Sequence, residues 1–163
     1  MVLWDFNIRP AQAGEGQALY DVTRLSILAS GQSFYSSDQL AGWMGARTAE
    51  TYEVIIAKGN VIVAVQDDKI AGFVDAEAGE VTRLFLLPEA IGTGLGKNLL
   101  KLGIETAKRD YTGDIRVEAT LNAESFYAHH GFKTVEHGVF SHGVGGEPIA
   151  IVHMVLVQTS TKR

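Results

Sequence analysis

The spacing of apolar residues changes about a third of the way along the chain. Before residue 60, apolar side chains recur every three or four positions, as in helices that bury one face. After it, short apolar runs alternate with turn residues, as in strands. A first strand over Asp5–Arg9 precedes the helical part, because Phe6 and Ile8 alternate with polar neighbours. The pattern therefore predicts a strand, helices, three strands, a helix, a strand, a helix and two strands.

Two or three helices are predicted in the first part of the chain. The first spans Glu15–Leu28, where apolar residues have helical spacing. Ser36 followed three residues later by Gln39 is a capping-box pattern that predicts the start of a second helix. Thr48 can cap a third helix, and Gly59 is expected to end it.

The second part of the chain predicts an antiparallel meander followed by alternating helices and strands. Its first three strands are separated only by the short breaks at Asp67–Lys69 and Ala78–Gly79, which are typical of hairpins. Strands with helices between them indicate an α+β or α/β domain with a mixed sheet, and they exclude a sandwich. The predicted elements are Val61–Gln66, Ile70–Glu77, Val81–Leu87, helix Leu95–Arg109, Ile115–Ala119, helix Ala123–His130, Phe132–Phe140 and Ile149–Val157.

Length and charge favour one acidic domain. The 163 residues suit a single domain, expected over residues 1–157, with a polar tail at 158–163. The 14 Lys and Arg against 19 Asp and Glu give a net charge of −5, which argues against nucleic acid as the main partner. No apolar run is long enough for a membrane span, and Met1–Asn7 has no features of a signal peptide. We therefore expect a cytoplasmic protein with no membrane partner.

The residue types exclude several kinds of chemistry. With no cysteine, the chain can form no disulfide, no thiolate metal site and no cysteine nucleophile. Its histidines and carboxylates follow no metal-binding pattern, so we expect no metal.

A glycine-rich turn between a strand and a helix carries the strongest local signal. The predicted strand ends at Leu87, and the next predicted helix begins at Leu95. Gly92 and Gly94 lie between them, and Gly96 is the second residue of the helix. Glycines let backbone N–H groups approach an anion, and the first N–H groups of a helix lack partners within it. A phosphate or diphosphate is the natural ligand, although such a turn can also be purely structural. The spacing fits neither a P-loop nor a dinucleotide fingerprint.

Two motifs together resemble the GNAT superfamily of N-acetyltransferases. The family's acetyl-CoA loop, Arg/Gln-x-x-Gly-x-Gly/Ala, matches positions 91–96, with Ile91 where the family has Arg or Gln. A second family motif, L-N-A-x-x-F-Y followed by Gly-Phe, matches positions 121–132. The resemblance implies a central, mostly antiparallel, splayed sheet flanked by helices. It also implies transfer of the acetyl group of acetyl-CoA to a primary amine of a small molecule or peptide, by direct attack in a ternary complex. A non-catalytic acyl-CoA-binding sensor or interaction module on the same fold stays open.

The resemblance also implies roles for individual residues. Tyr127 would be the general acid for the departing thiolate, since a phenol stays protonated at neutral pH. Glu80 would be the general base, with Glu77, Asp75 and Glu118 as alternatives. The expected contacts to acetyl-CoA are Leu84, Phe85, Leu86, Ile91, Gly92, Thr93, Gly94, Leu95, Gly96, Lys97, Asn122, Ser125 and Tyr127.

The acceptor side is the least determined part of the prediction. Tyr35, Trp43, Glu77 and His142 are the candidate substrate contacts, because they lie in segments expected to surround the acceptor. Asn122 is also expected to cap the following helix. The resemblance implies a possible homodimer. The identity of the amine is not encoded in these motifs.

Overall fold

The computed structural model describes residues 5–140 and 149–158, and within them the predicted order of elements is confirmed. The α-helices are α1 Gly16–Ser30, α2 Ser37–Met44, α3 Ala49–Ala57, α4 Leu95–Ala107 and α5 Glu124–His129. The strands are β1 Asn7–Pro10, β2 Ile62–Gln66, β3 Lys69–Glu77, β4 Glu80–Leu86, β5 Ile115–Thr120, β6 Lys133–Val139 and β7 Ala150–Leu156. None of the described helices is long and apolar enough to cross a bilayer.

Local residue chemistry explains where several elements begin and turn. The Ser36 hydroxyl accepts a hydrogen bond from the Gln39 N–H, and the Gln39 side chain accepts one from the Ser36 N–H, so the predicted capping box starts α2. Asp67 and Asp68 adopt φ values of 52° and 63°, the left-handed pair that a two-residue hairpin needs. Gly59, with φ of 89°, follows the end of α3 as predicted.

The seven strands form one sheet in the order β1-β2-β3-β4-β5-β7-β6. Neighbouring strands are antiparallel except β4 and β5, which run parallel. The β4–β5 pairing has only two registered pairs, Glu80 with Arg116 and Val81 with Val117, after which the strands diverge. The splayed, mostly antiparallel sheet that the family resemblance implies is therefore present.

Helices cover both faces of the sheet. On one face, Leu95 and Leu99 of α4 pack against Val74 of β3 in a continuous apolar core. On the other face, Leu19 of α1 and Tyr52 of α3 pack with other apolar side chains over β2 and β3. A further cluster joins α1 and α2 to β7. Burial of these side chains is the main favourable contribution to folding.

A β-bulge in β4 corrects one prediction from strand alternation. Asp75 of β3 is in register with Arg83, but the next residue, Ala76, is in register with Val81, so Thr82 is an extra residue. Val81 therefore packs in the core beneath α4, as Leu84 and Leu86 do. Strict alternation of side chains over residues 80–87 predicts that Glu80 lies on the same face as Leu84 and Leu86. That prediction is wrong, because the bulge shifts the alternation by one residue.

Candidate active site

The divergence of β4 from β5 opens a cleft of about 600 Å³. The amino end of α4 and the glycine turn bound it at one end, and α5 lies along one side. Residues at the end of α1 and in the segment after it complete the wall. The cleft is lined by Ser26, Ile27, Ser30, Phe34, Leu84, Phe85, Leu86, Ile91, Gly92, Gly94, Gly96, Lys97, Thr120, Asn122, Ala123, Phe126, Tyr127, His129 and His130.

One edge of β4 faces this cleft with backbone groups that no neighbouring strand uses. The Leu87 N–H donates to the Ala71 carbonyl at 2.7 Å, so the backbone groups of Leu87 point towards β3. Since successive residues of a strand point their backbone groups to opposite sides, those of Leu84 and Leu86 point towards the gap. β5 is in register with β4 only at Glu80 and Val81. This edge can therefore accept an extended ligand as an additional strand.

The glycine turn presents a set of backbone donors at one end of the cleft. Gly92 and Gly94 have φ values of 84° and 92°, which side chains other than glycine rarely adopt. Gly94 is the N-cap of α4. Within the described residues, the N–H groups of Gly92, Gly94, Gly96 and Lys97 donate to no protein acceptor. The first turn of a helix also carries partial positive charge, so the turn is a suitable site for a phosphate.

Thr93 and Leu95 support this turn without lining the cleft. The Thr93 hydroxyl donates to the Ala90 carbonyl at 2.6 Å and accepts from the Leu95 N–H at 3.3 Å. The Leu95 side chain is fully buried in the core. Both residues are therefore positioning residues of the turn. Ile91, by contrast, is 55% exposed at the cleft, where it offers no polar group.

Gly96 also allows α5 to approach the start of α4. A Cβ atom at Gly96 would lie 3.3 Å from a ring carbon of Phe126. This close approach brings Phe126 into the wall of the cleft. The sequence motif contains Phe126, but this residue is not among the predicted contacts to acetyl-CoA.

Tyr127 lies in the cleft wall with its phenol almost fully buried. Its ring makes edge contacts with the rings of Phe126 and Phe132, at centroid distances of 5.2 and 5.5 Å. Burial raises the pKa of Tyr127 well above its usual value, because an ionised phenolate would be poorly solvated there. Among the described residues, none hydrogen-bonds the phenol. The hydroxyl is therefore a neutral donor without a protein partner.

The residues flanking Tyr127 differ in their positions. Asn122 lines the cleft from a 3-10 turn that spans Leu121–Ala123. Its predicted capping role is wrong, since Ala123 occupies the N-cap of α5 and no side chain caps that helix. Ser125 is exposed and is not among the residues that line the cleft.

Two histidines missed as site residues lie at the end of α5. His129 and His130 both line the cleft, although neither is among the predicted site residues. Partial burial lowers the pKa of His130, and the nearby charges of His129 and Lys97 lower it further. The proximity to Lys97 places His130 at the glycine-turn end of the cleft. The two histidines stand two and three residues after Tyr127, and this position was the available signal.

Glu80 and Glu77 are not brought to this cleft. Glu80 is 6% exposed and lies where β4 and β5 are still joined, with Arg116 at 3.8 Å. It lines a separate cavity of about 250 Å³ bounded by residues of β4, β5, β6 and β7, as does Glu118. Glu77 is exposed at the end of β3, beside the hairpin turn. The predicted partnership of Glu80 with Tyr127 in one site is therefore not present in this geometry.

The remaining predicted substrate contacts have different surroundings. The Tyr35 hydroxyl donates to the Ala150 carbonyl at 2.5 Å and accepts from the Leu121 N–H at 2.8 Å. These two bonds connect the segment between α1 and α2 to β7 and to the turn after β5. Trp43 is buried, with its ring stacked on Phe140 at 4.8 Å. His142 lies outside the described residues. Within the described residues, no group of three metal-ligating side chains comes together.

Comparison with known proteins identifies the family. A model of the acetyltransferase (GNAT) domain matches residues 32–155. The uncharacterized N-acetyltransferase YafP of Escherichia coli (strain K12) is 26% identical over 132 residues, which cover 81% of this chain and 84% of YafP.

Two solved structures share the fold along almost the whole chain. A GCN5-related N-acetyltransferase from Rhodopseudomonas palustris has a TM-score of 0.86 at 20% identity, covering 96% of this chain and 98% of its own. PaiA N-acetyltransferase from Thermoplasma acidophilum, solved in complex with coenzyme A, has a TM-score of 0.72 at 21% identity, covering 93% and 98%. Since the family model also covers most of the sequence, this chain is an acyltransferase that belongs to the GNAT acetyltransferase family.

Proposed function

We propose that the protein transfers the acetyl group of acetyl-CoA to a primary amine by direct attack in a ternary complex. The observation that carries this proposal is the continuous path from the glycine turn, along the free edge of β4, to Tyr127 in the wall of the cleft. PaiA, which shares the fold, was solved with coenzyme A. The cleft offers complementary groups to each part of such a molecule.

The glycine turn suits the diphosphate of coenzyme A. Four backbone N–H groups that have no acceptor in the described part of the chain lie there, at a helix start that favours negative charge. Lys97 lines the same end of the cleft. The side-chain contact that Arg or Gln supplies in the family is missing because position 91 is Ile. Backbone donors therefore carry most of the binding to the diphosphate.

The free edge of β4 suits the pantetheine arm. Its amide groups can pair with the backbone of Leu84 and Leu86 as a neighbouring strand would. A backbone N–H on this edge can also donate to the carbonyl oxygen of the thioester as negative charge develops on it. Direct attack needs no enzyme nucleophile, which agrees with a chain that contains no cysteine.

Tyr127 would stabilise the leaving group. As the amine nitrogen bonds to the carbonyl carbon, the carbon–sulfur bond breaks and the sulfur leaves as a thiolate. The raised pKa of Tyr127 keeps its phenol protonated, so the hydroxyl donates a hydrogen bond to that sulfur. Among the described residues that line the cleft there is no carboxylate. The proton lost by the nitrogen therefore passes to water, to which the cleft is open, or to one of the two histidines in the cleft wall.

Calorimetry and thiol release test this proposal together. Coenzyme A is titrated into the protein, and the thiol released from acetyl-CoA is measured with a panel of primary amines. We expect binding together with turnover of at least one amine. Tyr127→Phe should lower kcat by about 10- to 100-fold and change the Kd of coenzyme A by less than about twofold. Binding without turnover of any amine would favour the sensor alternative, and an unchanged kcat in the variant would refute the role of Tyr127.

A further inference from the structure

A polar cluster outside the cleft lies on the face of the sheet opposite α4. We call Trp43, Arg47, Tyr52, Asp75 and Arg83 the arginine cluster. Arg47, in the turn between α2 and α3, is 5% exposed, and its Nε donates to the Trp43 carbonyl at 2.9 Å. Its guanidinium carbon lies 5.6 Å from the Trp43 ring centre and 5.8 Å from that of Phe140. No carboxylate in the described parts of the chain forms an ion pair with Arg47.

The second arginine of the cluster has only part of its hydrogen-bonding capacity satisfied. The Arg83 Nη1 donates to Asp75 Oδ2 at 3.0 Å, and the Thr82 hydroxyl donates to the same oxygen at 2.8 Å. The bulge in β4 places Thr82 and Arg83 together against Asp75. The Nε of Arg83 is buried and has no partner within the described residues. Among the described residues, the cluster therefore contains two guanidinium groups and one carboxylate, that of Asp75.

Two further buried polar atoms in the cluster form no hydrogen bond of good geometry within residues 5–140 and 149–158, although the Tyr52 side chain lies close enough to Arg47 to affect its pKa. They are the Trp43 Nε1, which can only donate, and the Tyr52 hydroxyl, which can donate or accept. Tyr52 is fully buried and Trp43 is 6% exposed. Buried polar groups in native proteins are almost always satisfied, so a group of them with excess positive charge indicates a missing anionic partner. Burial lowers the pKa of Arg47, the adjacent Tyr52 hydroxyl acts in the opposite direction, and the nearby charge of Arg83 lowers it further.

The arginine cluster adjoins the cleft. Arg83 and Phe85 are two residues apart on β4, about 7 Å along the strand, and point to the same face. Phe85 lines the cleft, and its ring contacts that of Trp43 at a centroid distance of 6.3 Å. The Arg83 side chain retains 13% exposure, so the cluster is not sealed from solvent. A molecule bound at the cluster can therefore extend towards the free edge of β4.

We propose that the acceptor is an amine that also carries a carboxylate, and that Arg47 and Arg83 bind this carboxylate. The proposal rests on the acetyl transfer proposed above and names the substrate class of that same site. The planar guanidinium groups match the two oxygens of a carboxylate. Counting the side chains that the structure describes, two arginines and Asp75 carry one net positive charge, which a monoanion neutralises and a phosphate dianion would exceed. The rings of Trp43, Phe85 and Phe140 suit the apolar part of such an acceptor.

Matched pairs of amines test the substrate class. The probes are glycine, β-alanine, 4-aminobutyrate, 6-aminohexanoate and L-phenylalanine, each beside the amine that lacks its carboxyl group, from methylamine to 2-phenylethylamine. Thiol release from acetyl-CoA is measured for each. We expect at least one amino carboxylate to exceed its partner by about tenfold or more in kcat/KM, which corresponds to one charge-assisted interaction. If no amino carboxylate exceeds its partner, the inference is overturned.

Variants of the cluster test the residues. Arg47→Met should raise the KM of the preferred amino carboxylate about tenfold or more and leave the Kd of coenzyme A unchanged. Arg47→Lys should restore part of the loss, because it keeps the charge but not the planar fork. Arg109→Met removes an exposed arginine at the end of α4 and serves as the control, with unchanged KM. An equal KM in Arg47→Met and Arg109→Met would overturn the assignment.

Binding of the reaction product gives a measurement that does not depend on turnover. The N-acetyl derivatives of the same amino carboxylates should raise the melting temperature of the wild type, and Arg47→Met should abolish that shift. Should Arg47→Met fail to fold, Trp43→Phe removes the Nε1 donor and part of the ring volume while keeping an aromatic side chain, and it should reduce the shift. Lack of coenzyme A binding would refute the proposed function itself. Turnover of amines without preference for a carboxylate, or stabilisation by none of these products, would refute only the present inference.

Discussion

Gly92 offers a direct test of the backbone site for the diphosphate, because the chain contains a matched control. Gly92 has φ of 84°, Gly59 has φ of 89°, and a Cβ at either position would meet no atom within 4 Å. Alanine at each position therefore has the same backbone cost, about 1–2 kcal/mol, without any clash. For a chain of this length we expect both variants to melt about 2–6 °C below the wild type.

The two variants should differ only in their affinity for coenzyme A. Gly92 lines the cleft, where its N–H is open to a ligand, whereas Gly59 follows α3 away from it. A methyl group at position 92 would hold a diphosphate away from the backbone donors. We expect Gly92→Ala to weaken binding about tenfold or more, equivalent to about 1.4 kcal/mol, and Gly59→Ala to leave it unchanged. Isothermal calorimetry at matched fractions of folded protein measures both. Equal dissociation constants in the two variants would refute a backbone site at this turn.

Three further substitutions probe other parts of the structure. Glu80→Gln should leave kcat within about twofold, since Glu80 lies outside the cleft, and a loss of about 100-fold in thiol release would return a catalytic role to it. Gly103→Ala should destabilise the fold by about 1–3 kcal/mol, because its Cβ would lie 2.7 Å from a methyl carbon of Val74, and urea unfolding would measure this. The hydrogen bond from Arg9 lowers the pKa of Glu15, so the folded state keeps this carboxylate ionised where the unfolded state takes up a proton. The pair stabilises the fold at pH values above the pKa that Glu15 has in the unfolded state, and this stabilisation is lost as the pH falls through the pKa of Glu15 in the folded state. Between about pH 6 and pH 3, the melting temperature of Arg9→Met should therefore fall less than that of the wild type. An identical decrease in wild type and variant would contradict that assignment.

The order of elements was predictable because each signal is local. The capping box at Ser36 and the glycine ending α3 act within a few residues, and hydrophobic spacing distinguishes helices from strands. The glycine turn and Tyr127 were likewise found from motifs, and both line the cleft. These features depend on neighbours in the sequence.

The rest depends on how distant segments meet. The extra residue at Thr82 can be recognised only once β3 is paired with β4, so the face of Glu80 was assigned incorrectly. Tyr35 was predicted as a substrate contact, but its hydroxyl is bonded to residues more than 80 positions away. The arginine cluster likewise combines the α2–α3 turn with β3 and β4. No local pattern marks Arg47 as buried.

Because β4 diverges from β5, backbone amide protons that are close together at the end of β4 should exchange with solvent at different rates. The N–H of Leu87 is bonded across to Ala71, while those of Leu84 and Leu86 point into the gap. In the ligand-free protein, the latter two should exchange with solvent deuterium much faster than their neighbours, although they belong to a central strand. A ligand that pairs with this edge would slow both. Hydrogen exchange at two leucines thus reports occupancy of the cleft without any need to know the acceptor.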